Sequence, residues 1–266
     1  VKNNEGEWVL LNGNQTALMF VYYLITRWKE LGKINGKEYI VKTIVTTETI
    51  KTIAERNGVE MYDVYTGFKW IANVMRENEG KKNYIGGGEE SYGFLCEDFV
   101  RDKDAVSACV ILAEIAAWAK DQGLSLYQLL QKIYVEYGFS KEKGISVVKK
   151  GKSGAEEIEA MMKKFRENPL TEIAGSKVTY FYDYSTLKGK DYAENETVTL
   201  DMPTTSNVLQ YFTEDNTKVS IRPSGTEPKI KFYCEVHSKV KSIDELPEAE
   251  KAAEEKINQI KASLGI

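Results

Sequence analysis

Arg222-Pro223-Ser224-Gly225-Thr226-Glu227-Pro228-Lys229 is the stretch of this sequence best suited to holding an anion. Arg222 offers a planar fork of N–H donors, Ser224 and Thr226 offer hydroxyls, and Gly225 has no side chain to keep backbone N–H groups from an approaching oxygen. Pro223 and Pro228 restrict the loop and so lower the entropy lost on binding. This chemistry suits a phosphate. The same residue types also make an ordinary hairpin turn, and on the residues alone both readings stand.

Three further segments carry chemistry in their types and spacing. Gly86-Gly87-Gly88-Glu89-Glu90-Ser91-Tyr92-Gly93 sets two carboxylates and a hydroxyl after a glycine run, a set able to pair with vicinal sugar hydroxyls; the alternative is a tight turn with positive φ and solvated acids. Thr66-Gly67-Phe68-Lys69-Trp70 puts a cation at a strand-to-helix junction, where it either meets a phosphate or hydroxyl or lies solvated beside core aromatics. Arg101-Asp102-Lys103-Asp104 precedes an apolar run and reads as capping charge at a helix start. His237, the single histidine, has no evident partner in the sequence and reads as a surface or packing residue, which leaves no histidine triad or histidine metal cluster. Glu97, Asp98, Asp102 and Asp104 do not follow EF-hand spacing and read as a solvated acidic face.

The elements that must position these groups follow from periodicity. Residues 14–29 repeat apolar positions at helical spacing up to Gly32; 38–45 and 60–65 read as strands, 49–56 and 70–78 as helices, and Tyr84-Ile85 as a strand leading into the glycines. This alternation predicts an α/β layer with a largely parallel sheet. Residues 105–119 are apolar almost all round and predict a core helix, and Ser125 with Gln128 makes a capping box for a helix over 126–137. Residues 138–154 are rich in Lys and Gly around one short strand and mark the expected domain boundary and hinge. Ser153 and Glu156 predict a second capping box opening a helix over 155–166. Strands over 177–184, 208–212, 218–222 and 229–236 and a closing helix over 244–264 predict an α+β second domain with an antiparallel sheet.

At 266 residues, with 42% hydrophobic and 29% charged residues, the chain can bury the cores of two domains, divided as 1–138 and 139–266. A net charge of −4 offers no basic field for nucleic acid or an anionic membrane. The three cysteines form no CxxC pair and no apolar run is long enough to span a bilayer, so a reducing cytoplasm is expected. The sequence opens without an initiator Met and is expected to come from a longer parent.

Taken in order and spacing, NGNQTALM (12–19), TGFKWI (66–71), GEESYGF (88–94), VRDKDA (100–105) and RPSGTEPK (222–229) resemble the α-D-phosphohexomutases, nearest to bacterial phosphoglucomutase/phosphomannomutase and the related phosphopentomutases. The resemblance implies the third and fourth domains of a four-domain parent: a three-layer α/β sandwich that recognises the sugar, then a small antiparallel-sheet domain, TATA-box-binding-protein-like, that holds phosphate. It further implies substrate contacts from Lys69, Glu89, Ser91 and Arg101. Phosphate contacts fall to Arg222, Ser224, Gly225, Thr226 and Lys229, and proton transfer to Lys103. The family's phosphoserine loop (T-A-S-H-N-P) and Mg²⁺ loop (D-G-D-A-D-R) are absent from these residues. The resemblance therefore implies an isomerase parent that uses Mg²⁺, a phosphoserine and a bisphosphate intermediate, with this part inactive alone, free of metal, and able to self-associate through surface the other domains would cover. Its partners are sugar mono- and bisphosphates. A phosphopentomutase, a non-catalytic sugar-phosphate binding module, and an interaction domain whose RPSGTEPK is only a turn are the competing readings.

Overall fold

A strand buried at all six positions, Glu38–Thr43 (β1), organises the first part of the chain. In the computed structural model, which describes residues 1–149 and 151–266, β1 lies between two parallel neighbours, Glu60–Val64 (β2) and Asn83–Gly88 (β3). Phe94–Cys96 (β4) returns antiparallel along β3, giving the order β2-β1-β3-β4. A parallel strand covered on both faces favours apolar residues, and Tyr39, Ile40 and Val41 supply them at the centre of β1, with buried polar residues at its ends.

Helices cover both faces. Gly13–Glu30 (α1), opened by an Asn12/Gln15 capping box, packs with Thr49–Arg56 (α2), Ala105–Asp121 (α4) and Leu126–Tyr137 (α5). Phe68–Asn78 (α3) takes the other face, where Phe68, Ile71 and Met75 meet Tyr39, Val41, Val64, Tyr84 and Leu95. The Ser125/Gln128 capping box opens α5 as its sequence predicts.

Two expectations change here. The glycine run is not a positive-φ turn: Gly86, Gly87 and Gly88 are buried strand residues of β3. The run over 105–119 is not a core helix either. Along α4 only Ile115 and Ala119 are buried, while Val106 and Val110 are 75% and 60% exposed. The helix sits beside β4, the sheet edge, so one stripe gains cover and the opposite apolar stripe does not.

The second part is a sheet of Phe139–Val148 (β5), Glu172–Ile173 (β6), Ser176–Asp183 (β7), Lys188–Asp191 (β8), Glu196–Thr199 (β9), Leu209–Thr213 (β10), Lys218–Pro223 (β11) and Lys229–Ser238 (β12). The order is β5-β12-β11-β10-β7-β8-β9, with β6 on β7, and β7 to β12 pair antiparallel. Gly151–Glu167 (α6) and Leu246–Leu264 (α7) bury Ile158, Met162, Phe165, Ala253, Ile257 and Ile260 beside the inward residues Val219, Ile221 and Phe232. Two readings of the 138–154 stretch are corrected. Most of it is the ten-residue β5, and α6 begins at Gly151, so Ser153 and Glu156 lie within the helix and cannot form a capping box at its start. Lys150, in the same stretch, lies outside the described residues.

By packing, Val1–Phe139 and Lys239–Leu246 form one compact unit, and Ser140–Ser238 and Pro247–Ile266 the other. Among the described residues no helix is long and apolar enough to cross a membrane.

The second unit buries charge. Lys218 and Glu235 are register partners on β11 and β12, with Nζ 2.9 Å from Oε2 and both side chains nearly inaccessible. His237, four-fifths buried, sets Nε2 2.8 Å from Glu235 Oε1. It therefore has the partner its sequence did not reveal. Burial acts to lower the imidazole pKa, but the Glu235 carboxylate, helped by Glu142 on β5 and opposed by Lys218, holds it above its ordinary 6.5. Burial likewise acts to raise Glu235, and Lys218 with His237 overrides it, holding the carboxyl well below the usual range. A raised folded pKa means that the stability contributed by His237 is complete below pH 6.5 and is lost as pH rises through the folded value. Thermal unfolding midpoints followed from about pH 6 to about pH 9 should therefore fall, and His237→Gln should flatten that fall. An identical pH dependence in the variant would mean that other groups set it.

Candidate functional site

In the first unit the chemistry collects at the carboxyl ends of the parallel strands. The connection from β1 goes to β2 on one side and the chain then returns to β3 on the other, with α2 and α3 on opposite faces. Such a reversal opens a crevice beyond the strand ends. Three loops border it, one after each of β1, β2 and β3.

The loop after β3 is set by close backbone approach. A Cβ on Gly87 would lie 2.2 Å from the Val41 carbonyl oxygen, and one on Gly88 2.4 Å from that of Gly93. Gly13 at the start of α1 meets the same loop so tightly that its Cβ would fall 1.9 Å from the Glu90 carbonyl oxygen. Glu89 N–H donates to Gly93 O at 2.8 Å and closes the loop. The Glu89 carboxylate then accepts from the N–H of Gly67 at 2.7 Å, immediately before α3. Gly67 stands at φ +110°, a conformation suited to glycine, and a carboxylate is favoured at a helix N-terminus. The second and third chemical segments of the sequence thus meet through one hydrogen bond.

Lys103 joins them. Its Cδ lies 3.0 Å from where a Gly93 Cβ would stand, its Nζ lies 5.8 Å from the Phe68 ring centroid, and Asp102 Oδ1 accepts from it at 3.1 Å. Ser91 is exposed on the same loop, and the Tyr92 hydroxyl donates to Leu11 O at 2.9 Å. Lys69 and Arg101 lie elsewhere, lining a shallow cleft of about 500 Å³ along α3 with Arg76 and Glu79. Lys69 rests over Trp70, 5.0 Å from the ring centroid, and Arg101 is held by Glu79 Oε1 at 3.4 Å and Asp98 O at 2.7 Å. Asp104 caps α4, accepting from Ser107 N at 2.7 Å.

The structure adds a polar group that sequence reasoning passed over. Lys42, 1% exposed in β1, sets Nζ 2.6 Å from Asp63 Oδ1 and 2.9 Å from Glu48 Oε1. Beside it Thr43 and Thr46 share a hydroxyl contact at 2.8 Å, Thr43 Oγ1 lies 3.5 Å from Glu90 Oε2, and Thr47 N donates to Asn14 Oδ1 at 3.0 Å. The available signal was one lysine inside a strand of otherwise buried type. Lys42, Thr43, Thr46, Thr47 and Asn14 are all buried, so this network braces the end of β1 beside the Glu89 loop.

In the second unit the anion segment closes the β11–β12 hairpin. Arg222 and Lys231 are register partners and Pro223 faces Ile230; β11 ends at Pro223 and β12 begins at Lys229, so the loop proper is five residues, 224–228. Ser224 N donates to Lys229 O at 2.7 Å, Thr226 N to Ser224 Oγ at 3.4 Å, and the two hydroxyls stand 3.5 Å apart. Gly225 and Thr226 are exposed. Lys229 is already engaged by Glu227, 2.8 Å away, and that hydrogen bond holds the Glu227 carboxyl below its usual range.

Residues 12–137 match the family model described as phosphoglucomutase/phosphomannomutase, alpha/beta/alpha domain III, and residues 146–253 match that family's C-terminal domain. The chain belongs to the phosphoglucomutase/phosphomannomutase family. It is 37% identical over 232 residues to the phosphoglucomutase of Staphylococcus aureus strain MRSA252, covering 87% of this chain and 41% of that one. Against the phosphoglucomutase of Staphylococcus haemolyticus it is 33% identical over 236 residues, covering 89% and 42%. The chain thus spans about two-fifths of the length of the curated relatives it matches. Its fold is shared by the parafusin (phosphoglucomutase) of Paramecium in its open form, with a TM-score of 0.57 at 17% identity over 89% of this chain and 38% of that one. A phosphoglucomutase/phosphomannomutase family protein of Burkholderia thailandensis gives 0.57 at 15%, over 99% and 44%.

The family expected from the five motifs is the family matched, and the two matched segments are its third and C-terminal domains. Within its third domain the Glu89–Gly67 hydrogen bond ties two loops together. Glu89→Ala should accelerate amide exchange at Gly67 by about tenfold, equal to about 1.4 kcal/mol, as read by hydrogen-exchange NMR; unchanged exchange would show that the carboxylate does not hold this junction.

Proposed function

We propose that this chain is the ligand-holding part of an isomerase that interconverts sugar 1-phosphate and sugar 6-phosphate. In that reading residues 1–138 recognise the sugar and residues 139–266 hold the phosphate that is not being transferred. The observation that carries it is the β11–β12 hairpin. Its tip offers a guanidinium, two hydroxyls and an exposed glycine in five residues, and the matched family acts on sugar phosphates by name. Arg222 supplies charge-assisted donors, and Ser224, Gly225 and Thr226 supply the smaller contacts. Glu89 and Ser91 pair with sugar hydroxyls, and Lys103, beside the Glu89 loop, moves a proton at the reacting oxygen. Glucose is the favoured sugar because the curated relatives are named phosphoglucomutases.

The phosphoryl donor is proposed to be a serine of the longer protein, which gives its phosphate to the monophosphate and takes the other back from the bisphosphate. Neither T-A-S-H-N-P nor D-G-D-A-D-R occurs in these 266 residues. Mg²⁺ would offset charge in that transfer. Among the described residues no three His, Cys, Asp or Glu side chains come together to hold a metal, so no step is routed through one in this chain.

The exposed stripe of Val106 and Val110 on α4 supports self-association of the chain as it stands, since apolar surface of this kind favours burial against another copy. The assembly should be concentration-dependent by sedimentation, and Val106→Glu with Val110→Glu should shift it to monomer. A monomer at every concentration before mutation would refute it.

Calorimetric titration with glucose 1-phosphate and glucose 1,6-bisphosphate tests the main reading. Binding is expected, Arg222→Ala should weaken it by about a hundredfold, equal to about 2.8 kcal/mol, and a coupled mutase assay should register no turnover. Turnover would mean that the nucleophile has been misplaced, and absence of binding would reduce RPSGTEPK to a turn.

A further inference from the structure

The cleft along α3 holds two cations that the sugar loop leaves unused. Lys69 and Arg101 line it with Ala72, Asn73, Arg76 and Glu79, around a volume of about 500 Å³, a size that accommodates small-molecule ligands. Lys69, Ala72, Asn73 and Arg76 recur at helical spacing and so share one stripe of α3. Arg101 forms the other wall, its guanidinium fixed by Asp98 O at 2.7 Å and Glu79 Oε1 at 3.4 Å. Charge in this cleft is unbalanced. Its lining carries three cations and one carboxylate, and that carboxylate, Glu79, is taken by Arg101. Among the described residues neither Lys69 nor Arg76 has an ion pair: Lys69 lies over the Trp70 ring, and Arg76 donates to Asn73 Oδ1 at 3.1 Å. Asn73 in turn donates to Glu77 Oε1 at 2.7 Å, which brings the one further acid into the network. Lys69 and Arg76 stand two turns apart, about 10 Å along the helix axis. A compact single phosphate neutralises one end of that stripe, whereas a linear chain of phosphates lies along it.

We propose that this cleft of the first unit is an anion site in its own right, and that its ligand is a linear polyphosphate chain held by Lys69, Arg76 and Arg101. Lys69 and Arg101 then serve this ligand and not the sugar. Arg76 and Arg101 act as forks and Lys69 as a point charge. Two positions separate Lys69 from Gly67, whose N–H is held by the Glu89 carboxylate, and two separate Arg101 from Lys103, so an occupied cleft grips both segments that reach the Glu89 loop. The shared chemistry is the phosphate chain, whether free or the tail of a nucleotide.

The whole chain is titrated with tripolyphosphate in metal-free buffer, by calorimetry and by amide NMR, and separately with inorganic phosphate, ATP and glucose 1-phosphate. Each titration is repeated on Arg222→Ala, which removes the guanidinium of the hairpin in the second unit. In both proteins tripolyphosphate should shift the amides of Lys69, Asn73 and Arg101 and bind about tenfold tighter than inorganic phosphate. Lys69→Met and Arg76→Met should each weaken it by about fivefold, whereas Lys120→Met, which removes an exposed charge on α4, should stay within about twofold. Neither cleft variant should alter affinity for glucose 1-phosphate. ATP binding as tightly as tripolyphosphate would identify the phosphate chain alone as the ligand, and tighter binding a nucleotide. Tripolyphosphate that leaves the three amides unmoved would overturn the assignment, as would an equal loss in Lys120→Met. A loss of glucose 1-phosphate affinity in Lys69→Met matching that of tripolyphosphate would also overturn it, by returning Lys69 to the sugar. Tripolyphosphate binding in the cleft without any glucose 1-phosphate binding would sustain this site while the hairpin reading fails.

Discussion

Backbone lies against backbone in the first unit at separations that leave no room for a side chain. Val41 O faces Gly87, Gly93 O faces Gly88, and Glu90 O faces Gly13. These contacts pin the loop after β3 onto the sheet and onto the first turn of α1, and every later feature of that unit depends on them. With the loop pinned, Glu89 reaches the N–H of Gly67 and fixes the entry to α3; Lys103 lies over Gly93; and Glu90 comes within reach of Thr43. A methyl group at any of these positions would push apart two segments that jointly line the crevice.

The second unit solves a different problem with one hairpin. Its inward face is anchored by Ile221 and Phe232 in the core, and its base is pinned by the buried Lys218–Glu235 pair. Breaking a buried pair of this kind leaves a desolvated charge, so the base has one arrangement only. The tip inherits that rigidity through four residues of paired strand. An anion site built on such a support loses little entropy on binding.

Much of this was legible from the residues because local rules and tertiary packing agree. The apolar rhythm of α1, the Ser125/Gln128 box and the strand alternation around residues 218–236 all lead to the elements observed. The failures have physical causes. The glycine run resembled a turn because glycine answers both to positive φ and to close approach, and only the partner strand distinguishes them. The run over 105–119 resembled a core helix because burial was judged from composition, whereas a helix beside a sheet edge is covered on one side. His237 looked solitary because its partner, two residues away, shares its face only once β12 exists, and Lys42 was invisible for the same reason: its carboxylates come from Glu48 and Asp63 on separate segments.

The division into units has a consequence for handling the molecule. Because Lys239–Leu246 belongs with the first unit while the residues on either side belong with the second, the polypeptide passes between the units three times, near 139, 238 and 246. One proteolytic nick at any single passage gives two fragments, at least one of which carries residues of both units, so packing within a unit is what holds the fragments together. A boundary drawn at the first passage alone would strand eight residues away from their packing partners and would leave α7 joined to its sheet by an unanchored loop. Two halves that look separable along the sequence are therefore interleaved in it: excising the second unit requires a new connection between residues 238 and 247, and excising the first a new connection between residues 139 and 239.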